Sequence, residues 1–322
     1  MNAARRAVKS ARAHLREIVM SVFSIPDIHG DVGRAVESLM LANITDANGA
    51  WIAPPGTTLV QTGDLFDRGD DTQAVFKLFA ALERSAAAAG SRVLRLLGNH
   101  CVMNLVGDTR YVSRADTASF GGAAARARAL AADGEIGAWL LGAKVCTVVD
   151  GTLFVHAGLH PKWARLGCDG INRRAAQELS RAVPRAGGEP QPAFAPMLSA
   201  ADGPVWWRGL AEGDEAEACA LLDESLSHIK AARMVVGHTI QERGRMRLRC
   251  GGRLVLSDVG MSRAYDSSFP FGVRDASRAA ALQLGGPAGV RVLSAQRDEP
   301  RLGGPRWRGR RLVPGGGDAI EL

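Results

Sequence analysis

The chain has 322 residues and a net charge of +7; 46% of its residues are hydrophobic, 23% are charged and 5% are aromatic. This composition is typical of a globular protein with a substantial core, and the length suits one large α/β domain or two modest ones. No run of about 18 apolar residues occurs, so the sequence predicts no membrane-spanning helix. The five cysteines are scattered and form no CxxC pair, so the sequence indicates neither a disulfide framework nor a zinc finger. This pattern favours a reducing compartment. The cysteines are Cys101, Cys146, Cys168, Cys219 and Cys250.

The first twenty residues, MNAARRAVKSARAHLREIVM, are rich in Arg and Ala and poor in acidic residues. Two interpretations are open: a transit peptide, which would place the protein in a plastid or mitochondrion, or a surface helix of a cytoplasmic protein. We favour the helix, and with it a cytoplasmic location, because the segment continues directly into the first predicted strand. The leader lacks the uninterrupted apolar stretch that a secretory signal needs.

Apolar runs alternate with helical patterns in the first hundred residues. The runs predict strands at 19–25, 57–61 and 93–97. Asp31 is placed to cap the helix after the first strand. This β-α-β-α-β order predicts parallel strands that are covered by helices.

The second of these helices has clear signals at both ends. Asp70 and Asp71 open it, where a negative charge is favourable against the helix dipole. Gly90 is a plausible stop after the apolar stripe of this helix.

The second half of the chain has a different rhythm. Asp150-Gly151 is a strong hairpin signal between two predicted strands. The segment 160–205 is rich in Gly, Pro and Arg with a helical centre near 172–183, and we interpret it as an elaboration of the same domain. The predicted strands are 145–149, 152–156, 233–237, 253–257 and 289–293.

A tail rich in Gly, Pro and Arg follows the predicted domain, which spans 21–295. The tail, 296–322, could be an electrostatic arm for nucleic acid, or it could be a solvated terminus. We favour the terminus, and expect no nucleic-acid partner, because no aromatic platform or nucleic-acid motif accompanies its arginines. These are Arg301, Arg306, Arg308, Arg310 and Arg311.

Five short polar clusters lie at or just beyond the ends of predicted strands. Because ligands of open α/β sheets bind beyond the carboxyl ends of the strands, the clusters are expected to converge on one site. Any single cluster could be a turn or an ordinary core histidine, but five in succession predict a functional site. They are PDIHGD (26–31), GDLFDRG (63–69), GNH (98–100), VHAG (155–158) and VGHT (236–239).

The side chains of these clusters suit metal ions. Carboxylate, imidazole and carboxamide groups without a thiolate favour Mn, Fe, Zn or a similar first-row ion. Two ions about 3.5–4 Å apart form a clamp for in-line displacement at phosphorus, and Asp64 is central enough in the order to bridge them. The candidate ligands are Asp27, His29, Asp64, Asn99, His156 and His238.

The remaining polar residues supply what metals do not. Arg68 is a fork of donors suited to phosphate oxygens. His100 could protonate a leaving oxygen as a general acid, and Asp67 could hold that imidazole in the right tautomer. Glycines beside the ligands allow the backbone to approach them closely: Gly30, Gly63, Gly98 and Gly237.

In this order the clusters resemble the motifs of the calcineurin-like metallophosphoesterases, arranged as in the phosphoprotein phosphatase family: GDxHG, GDxxDRG, GNHE, HGG and a late GH. Longer segments look like the Shewanella-like branch of that family. They are LLGNHCVMNLVGDTRYV (96–112), GEIGAWLL (134–141), LFVHAGLHPKW (153–163), GPVWWRGL (203–210) and LSDVGMSRAYD (256–266). The resemblance covers about Val22 to Asp266 and implies an α/β fold with two mixed β-sheets in a sandwich flanked by helices.

The resemblance also implies a role for each matched residue. His100 is the acid and Asp67 its partner, while Arg68 and Arg208 of WWRG bind phosphate. Asp64 is shared between two sets of metal ligands. The first metal takes Asp27, His29 and Asp64, and the second takes Asp64, Asn99, His156 and His238.

Three positions depart from the family pattern. Pro26 replaces the first Gly of GDxHG, and Ala157 replaces a Gly of HGG, as in diadenosine tetraphosphate hydrolases. Cys101 replaces the Glu of GNHE, which is not a metal ligand in the pattern. Its thiol is either a reactive thiolate near the metals or, the interpretation we favour, a buried and inert group that fills space.

The implied function is hydrolysis of phosphate monoesters by a hydroxide that bridges the metals. We expect a protein phosphatase acting on phosphoserine, phosphothreonine or phosphotyrosine, with a phosphoprotein as its partner. Ala157 favours the alternative of a diadenosine tetraphosphate or other small phosphoester hydrolase, and Cys101 that of an inactive phosphate-binding relative. Neither the physiological substrate nor the oligomeric state is predicted.

Overall fold

The computed structural model describes residues 21–191, 195–265, 278–285, 289–294 and 320–321. The leader, 1–20, and all but two residues of the tail lie outside this part, so their interpretations stay predictions. Among the described residues, no helix is long and apolar enough to cross a membrane.

Two mixed β-sheets form the centre of the molecule. The order of strands is β11-β10-β9-β1-β2-β3 in the first sheet and β4-β5-β6-β8-β7 in the second. Strands β1, β2 and β3 run parallel, as do β5, β6 and β8. The strands are β1 (Val22–Ile25), β2 (Thr58–Gln61), β3 (Arg92–Arg95), β4 (Cys146–Val149), β5 (Thr152–Val155), β6 (Arg233–Val236), β7 (Arg247–Arg249), β8 (Leu254–Leu256), β9 (Ala280–Leu284), β10 (Val290–Ser294) and β11 (Ile320–Glu321).

The sheets pack face to face. Val22 and Val60 of the first sheet share a buried cluster with Phe154, Val235 and Val255 of the second. Alternate residues of the same strands belong to a larger cluster that includes buried helix residues. The strands are therefore buried on both faces, which explains why they are continuous apolar runs and confirms the predicted sandwich.

Helices cover the outer faces of the sandwich. Asp31 caps the first helix as predicted, since its carboxylate accepts a hydrogen bond from Arg34 N. The helices are α1 (Val32–Leu41), α2 (Thr72–Ala88), α3 (Asn99–Leu105), α4 (Arg114–Ser119), α5 (Ala123–Leu130), α6 (Glu135–Leu141), α7 (Pro161–Ala164), α8 (Gly167–Ala182), α9 (Pro196–Ser199), α10 (Gly209–Glu212) and α11 (Glu215–Ile229).

The start of α2 differs in detail from the prediction. Asp71 stands at the N-cap position but makes no capping hydrogen bond there; its carboxylate instead accepts one from Val32 N at 3.3 Å. The backbone amide of Thr72, which Asp71 does not cap, donates to the carboxylate of Asp116 at 3.1 Å. Asp116 is distant in sequence. The end of α2 is as predicted, with Gly90 at φ +68°.

Three strands were not predicted. β9 has the sequence AALQL, which reads as helical, yet it pairs antiparallel with β1. β7 has three residues and β11 has two, which is too short for an alternating pattern to be recognised. The predicted hairpin at Asp150-Gly151 is confirmed, because β4 and β5 pair antiparallel around it.

One disulfide is present where the sequence predicted no disulfide framework. Cys219 of α11 and Cys250, at the turn between β7 and β8, are joined by a bond of 2.00 Å. The Sγ atoms of Cys146 and Cys168 also lie 2.8 Å apart. The pairing could not be read from spacing, because each pair is brought together only by the packing of a helix against the second sheet.

Candidate metal centre

The predicted ligands converge at one edge of the sandwich. Each follows the carboxyl end of a strand, and each is buried, with an exposed fraction between 0 and 7%. They are Asp27 and His29 after β1, Asp64 after β2, Asn99 after β3, His156 after β5 and His238 after β6.

Asp64 lies at the centre of this group. Its Oδ2 atom is 3.3 Å from Nε2 of His156 and 3.8 Å from Nε2 of His29. On the side of His29, Oδ2 of Asp27 lies 4.0 Å from the same imidazole nitrogen. A carboxylate with imidazoles on two sides is placed to bridge two cations.

The other side of Asp64 is equally crowded with donor atoms. Ligand atoms of Asp64, His156 and His238 all lie within 4.8 Å of one another. The Oδ1 atom of Asn99 is 3.0 Å from Nε2 of His156, whose Nδ1 faces the carbonyl oxygen of Thr62 at 2.9 Å. Because Nδ1 is engaged by the backbone, Nε2 is the nitrogen turned to the site.

The backbone at the site is held in an unusual conformation. His29, Asp64, Asp67, Arg68 and His238 all have φ between +47° and +71°. Residues with a Cβ adopt this left-handed region at a cost of order 1 kcal/mol or more each. Such a concentration of strain at strand ends indicates that the fold holds these side chains in place for a function.

Two glycines leave room for the carboxylates. A Cβ atom at Gly98 would lie 2.1 Å from Oδ1 of Asp64, and one at Gly237 would lie 2.1 Å from Oδ1 of Asp27. Neither glycine has a positive φ, so the requirement is for space. The predicted close approach of the backbone to the ligands is confirmed at both positions.

Burial sets the protonation of the histidines at the edges of the site. It lowers the pKa of His29 to about 4, and together with the neighbouring His156 it lowers the pKa of His238 to about 2. Both imidazoles are therefore neutral at pH 7, which is the form that binds a metal.

Charge decides the protonation at the centre. Burial alone would raise the pKa of Asp64, but the neighbouring imidazoles of His156 and His100 keep that pKa below its ordinary value. Burial opposes the charge on His156 as well, but the carboxylates of Asp64 and Asp27 raise the pKa of its imidazole to about 9. In the metal-free protein, the imidazole of His156 is therefore protonated at pH 7.

The residues present fit two metal ions. Oδ1 of Asp27 is buried and has no hydrogen-bond partner in the part of the chain that the structure describes, so it is open to a cation. The glycine cradles keep the carboxylates of Asp27 and Asp64 in place, and all donors are oxygen or nitrogen, as first-row ions prefer. The assignment of individual ligands to each metal stays a prediction.

Binding of a metal should displace a proton from His156. Because the raised pKa of about 9 keeps this imidazole protonated at pH 7, we expect the affinity for Mn²⁺ to rise about tenfold per pH unit from pH 6.5 to 8.5, with about one proton released. Titration calorimetry in two buffers of different ionisation enthalpy measures both quantities. An affinity for Mn²⁺ that does not change with pH, without proton release, would show that metal binding displaces no proton from His156.

The predicted acid lies next to the ligands. Nδ1 of His100 is 2.8 Å from Oδ2 of Asp67, which is fully buried, and the backbone amide of His100 donates to Oδ1 of Asp64 at 2.9 Å. A second donor, Nδ2 of Asn104, holds the other oxygen of Asp67 at 2.8 Å. His100 is therefore oriented through Nδ1, and Nε2 remains for a substrate.

A cavity of about 250 Å³ opens onto these groups. Arg68 lies at its rim, with the guanidinium 4.0 Å from the ring centre of Tyr111 and 5.8 Å from that of Tyr265. Arg208 also lines the cavity, and its Nη1 donates to the carbonyl oxygen of His238 at 3.1 Å and to Oγ1 of Thr239 at 2.9 Å. The structure places both predicted phosphate ligands on one cavity.

Asp258 belongs to this site and was not predicted as a site residue. It follows β8, as the other ligands follow their strands, and its Oδ2 is buried without a hydrogen-bond partner among the described residues. Burial raises the pKa of Asp258 to about 6, and burial together with the neighbouring Asp258 raises the pKa of Asp27. The signal was available: LVL followed by Ser-Asp repeats the pattern of an apolar run that ends in an acid.

The last matched segment ties the site to α1. Arg263 donates to both carboxylate oxygens of Asp31, at 3.0 and 2.7 Å, and Ser262 donates to the carbonyl oxygen of His29 at 3.1 Å. Asp31 therefore connects the first and last motifs and caps α1. It is not among the residues that line the cavity.

Cys101 matches the second of its two interpretations. Its side chain is 0% exposed, and burial raises the pKa of the thiol to about 12. A protonated thiol out of contact with solvent is not reactive. The residue fills space in the core beneath the site.

A sandwich of two mixed sheets, with carboxylates and imidazoles gathered at the strand ends around Asp64, defines a metal-dependent phosphoesterase. The chain belongs to the calcineurin-like phosphoesterase family, whose model matches residues 20–239.

Relatives support the predicted branch of this family. An uncharacterised protein of Schizosaccharomyces pombe is 39% identical over 251 residues, covering 76% of this chain and 74% of that protein. Shewanella-like protein phosphatase 2 of Arabidopsis thaliana is 28% identical over 319 residues, covering 84% of this chain and 77% of its own length. The cold-active protein-tyrosine phosphatase of a psychrophilic Shewanella species has a solved structure that matches with a TM-score of 0.68 and 26% identity, covering 86% of this chain and 77% of that one. The predicted recognition, fold and phosphatase activity are confirmed.

Proposed function

We propose that this phosphatase acts on phosphoproteins, with phosphotyrosyl residues as the preferred class, and that it uses two ions of Mn, Fe or Zn. The size of the cavity is the main support. At about 250 Å³ it is smaller than the roughly 300–1,000 Å³ common for sites that enclose a small-molecule ligand. A phosphorylated side chain presented by a protein suits such a site better than a molecule that must be enclosed whole.

The residues divide the work of hydrolysis between them. The ions, when bound, supply Lewis-acid activation and neutralise charge at phosphorus. Arg68 and Arg208, which both line the cavity, bind and orient the phosphoryl oxygens. His100 donates a proton from Nε2 to the leaving oxygen, while Asp67 stabilises the imidazole through Nδ1.

The aromatic rim supports the preference for tyrosine. Tyr265 lines the cavity, and Tyr111, which is 36% exposed, stacks on the lining residue Arg68, so a phenyl ring that enters the cavity lies close to two aromatic side chains. The solved Shewanella relative is itself described as a protein-tyrosine phosphatase.

Little supports the alternative of a dinucleotide polyphosphate. Ala157, the residue that favoured it, is 1% exposed and does not line the cavity. Its amide donates to the carbonyl oxygen of Pro204, which is a structural contact.

A substrate panel tests the proposal. Phosphotyrosyl, phosphoseryl and phosphothreonyl versions of one peptide are compared with diadenosine tetraphosphate in the presence of manganese. We expect the highest kcat/KM for the phosphotyrosyl peptide and the lowest for the dinucleotide. A higher kcat/KM for the dinucleotide than for every peptide would contradict the proposal.

A matched pair of variants locates the preference. Tyr111→Ala should lower kcat/KM for the phosphotyrosyl peptide about three- to tenfold more than for the phosphoseryl peptide, because a ring contact contributes roughly 0.5–1.5 kcal/mol. Ile52→Ala, at an exposed apolar position that does not line the cavity, should leave the ratio unchanged. If Tyr111→Ala leaves the ratio unchanged, Tyr111 does not contribute to the preference for phosphotyrosine.

A further inference from the structure

A buried polar chain extends behind the acid–base pair, away from the cavity. The carboxylate of Asp67 uses one oxygen for His100, and its other oxygen, Oδ1, accepts from Asn104. Nη2 of Arg126 lies 3.6 Å from the same Oδ1 atom. Arg126 is only 3% exposed and belongs to α5, which carries none of the five polar clusters.

Arg126 is itself held by a second buried acid. Its Nε donates to Oδ2 of Asp116 at 2.9 Å, and Asp116 is 0% exposed. The other oxygen of Asp116 accepts from the first amide of α2, at Thr72. One guanidinium thus lies between two buried carboxylates, and each carboxylate is anchored on its far side by another group.

The guanidinium of Arg126 faces both carboxylates of this chain, with Oδ1 of Asp67 at 3.6 Å and Oδ2 of Asp116 at 2.9 Å. Buried charges without a partner are costly, which makes each member dependent on the others. Without Arg126, Asp67 would share its interior with an unpaired Asp116.

We propose that Arg126, oriented by Asp116, is a positioning residue for the general acid of this enzyme. It fixes Oδ1 of Asp67 so that Oδ2 faces His100, and the imidazole then presents Nε2 to the cavity. Arg126 does not line the cavity, so it can affect the reaction only through other residues. The proposal therefore rests on the role of His100 as the acid.

The test separates positioning from support of the fold. Arg126→Met alone leaves Asp116 without a charged partner in the interior, so the variant of choice is Arg126→Met/Asp116→Asn, which removes a charge pair. We expect kcat for phenyl phosphate, whose leaving group needs a proton, to fall about 10–100-fold. For p-nitrophenyl phosphate, whose leaving group needs little protonation, we expect a loss below about threefold, with metal content unchanged. Equal losses on the two substrates, or none on either, would overturn the proposal.

A matched control and a mutant cycle complete the test. Arg249→Met removes another buried arginine, 4% exposed and paired with Glu215, and should leave the ratio of the two rates unchanged. In a His100→Asn background, the Arg126→Met/Asp116→Asn change should no longer alter that ratio, since the group it positions is gone. A ratio that still changes there would show that Arg126 acts by another route.

The His100→Asn variant alone distinguishes the two possible failures. If it discriminates between the substrates and the Arg126→Met/Asp116→Asn variant does not, the positioning role is wrong and the acid stands. If His100→Asn shows no discrimination, the acid assignment fails and the role of Arg126 fails with it.

Discussion

Asp64→Asn should abolish turnover, with a loss of about 10⁴-fold or more in kcat. Asp64 approaches imidazoles of both predicted metal sets, so the amide weakens both sites at once. Metal ions contribute several kcal/mol to such reactions, at about 1.4 kcal/mol per tenfold in rate. Bound metal, measured by elemental analysis after gel filtration, should fall well below that of the parent.

The matched control for this variant is Asp31→Asn. Asp31 is also a buried carboxylate of the first motif, but it binds Arg263 and caps α1. The Asp31→Asn protein should keep its metal content, although its folded state should be less stable than that of the parent. An Asp64→Asn protein with two metals and normal turnover would refute the role of Asp64 as the bridge.

His100→Asn should lose roughly 10²–10⁴-fold in kcat on substrates with poor leaving groups. Asn keeps the backbone amide that binds Asp64, so metals should remain bound. The loss should shrink on p-nitrophenyl phosphate, whose leaving group departs with little protonation. Parallel kinetics on phenyl phosphate and p-nitrophenyl phosphate measure the difference.

A histidine outside the cavity provides the comparison for this variant. His160 caps α7 and packs on Trp207 without lining the cavity. His160→Asn should change both rates by the same factor. General-acid catalysis by His100 is excluded if its removal slows both substrates equally.

The site was predictable because its residues obey a local rule. Each predicted ligand stands just beyond an apolar strand, and parallel strands bring their carboxyl ends to one edge. The glycine cradles were predictable for a related reason, since Gly98 and Gly237 adjoin Asn99 and His238 in sequence. Local pattern was therefore enough to predict which side chains the fold brings together at this edge.

The support of the site was not predictable, because it depends on contacts between distant segments. Arg126 and Asp116 lie on short helices with no distinctive pattern, and they meet Asp67 only in the folded chain. The disulfide of Cys219 and Cys250 likewise joins residues that the sequence leaves unrelated. Long-range pairs of this kind carry no periodic signal.

The fold shows the same division. The central strands of the sandwich are mostly apolar because both of their faces are buried, and such runs are readable in the sequence. These strands are β1, β2, β5, β6 and β8. β9 was missed because Ala280 and Ala281, with Leu282, look helical in isolation. Its pairing with β1 outweighs that propensity.

The central claim is that two metals share Asp64 at the carboxyl edge of the sandwich. Anomalous diffraction from a crystal grown with manganese tests it most directly. The account predicts two peaks about 3.5–4 Å apart, with the carboxylate of Asp64 between them, Asp27 and His29 at one peak, and His156 and His238 at the other. A single peak, or two peaks of which only one contacts Asp64, would contradict it.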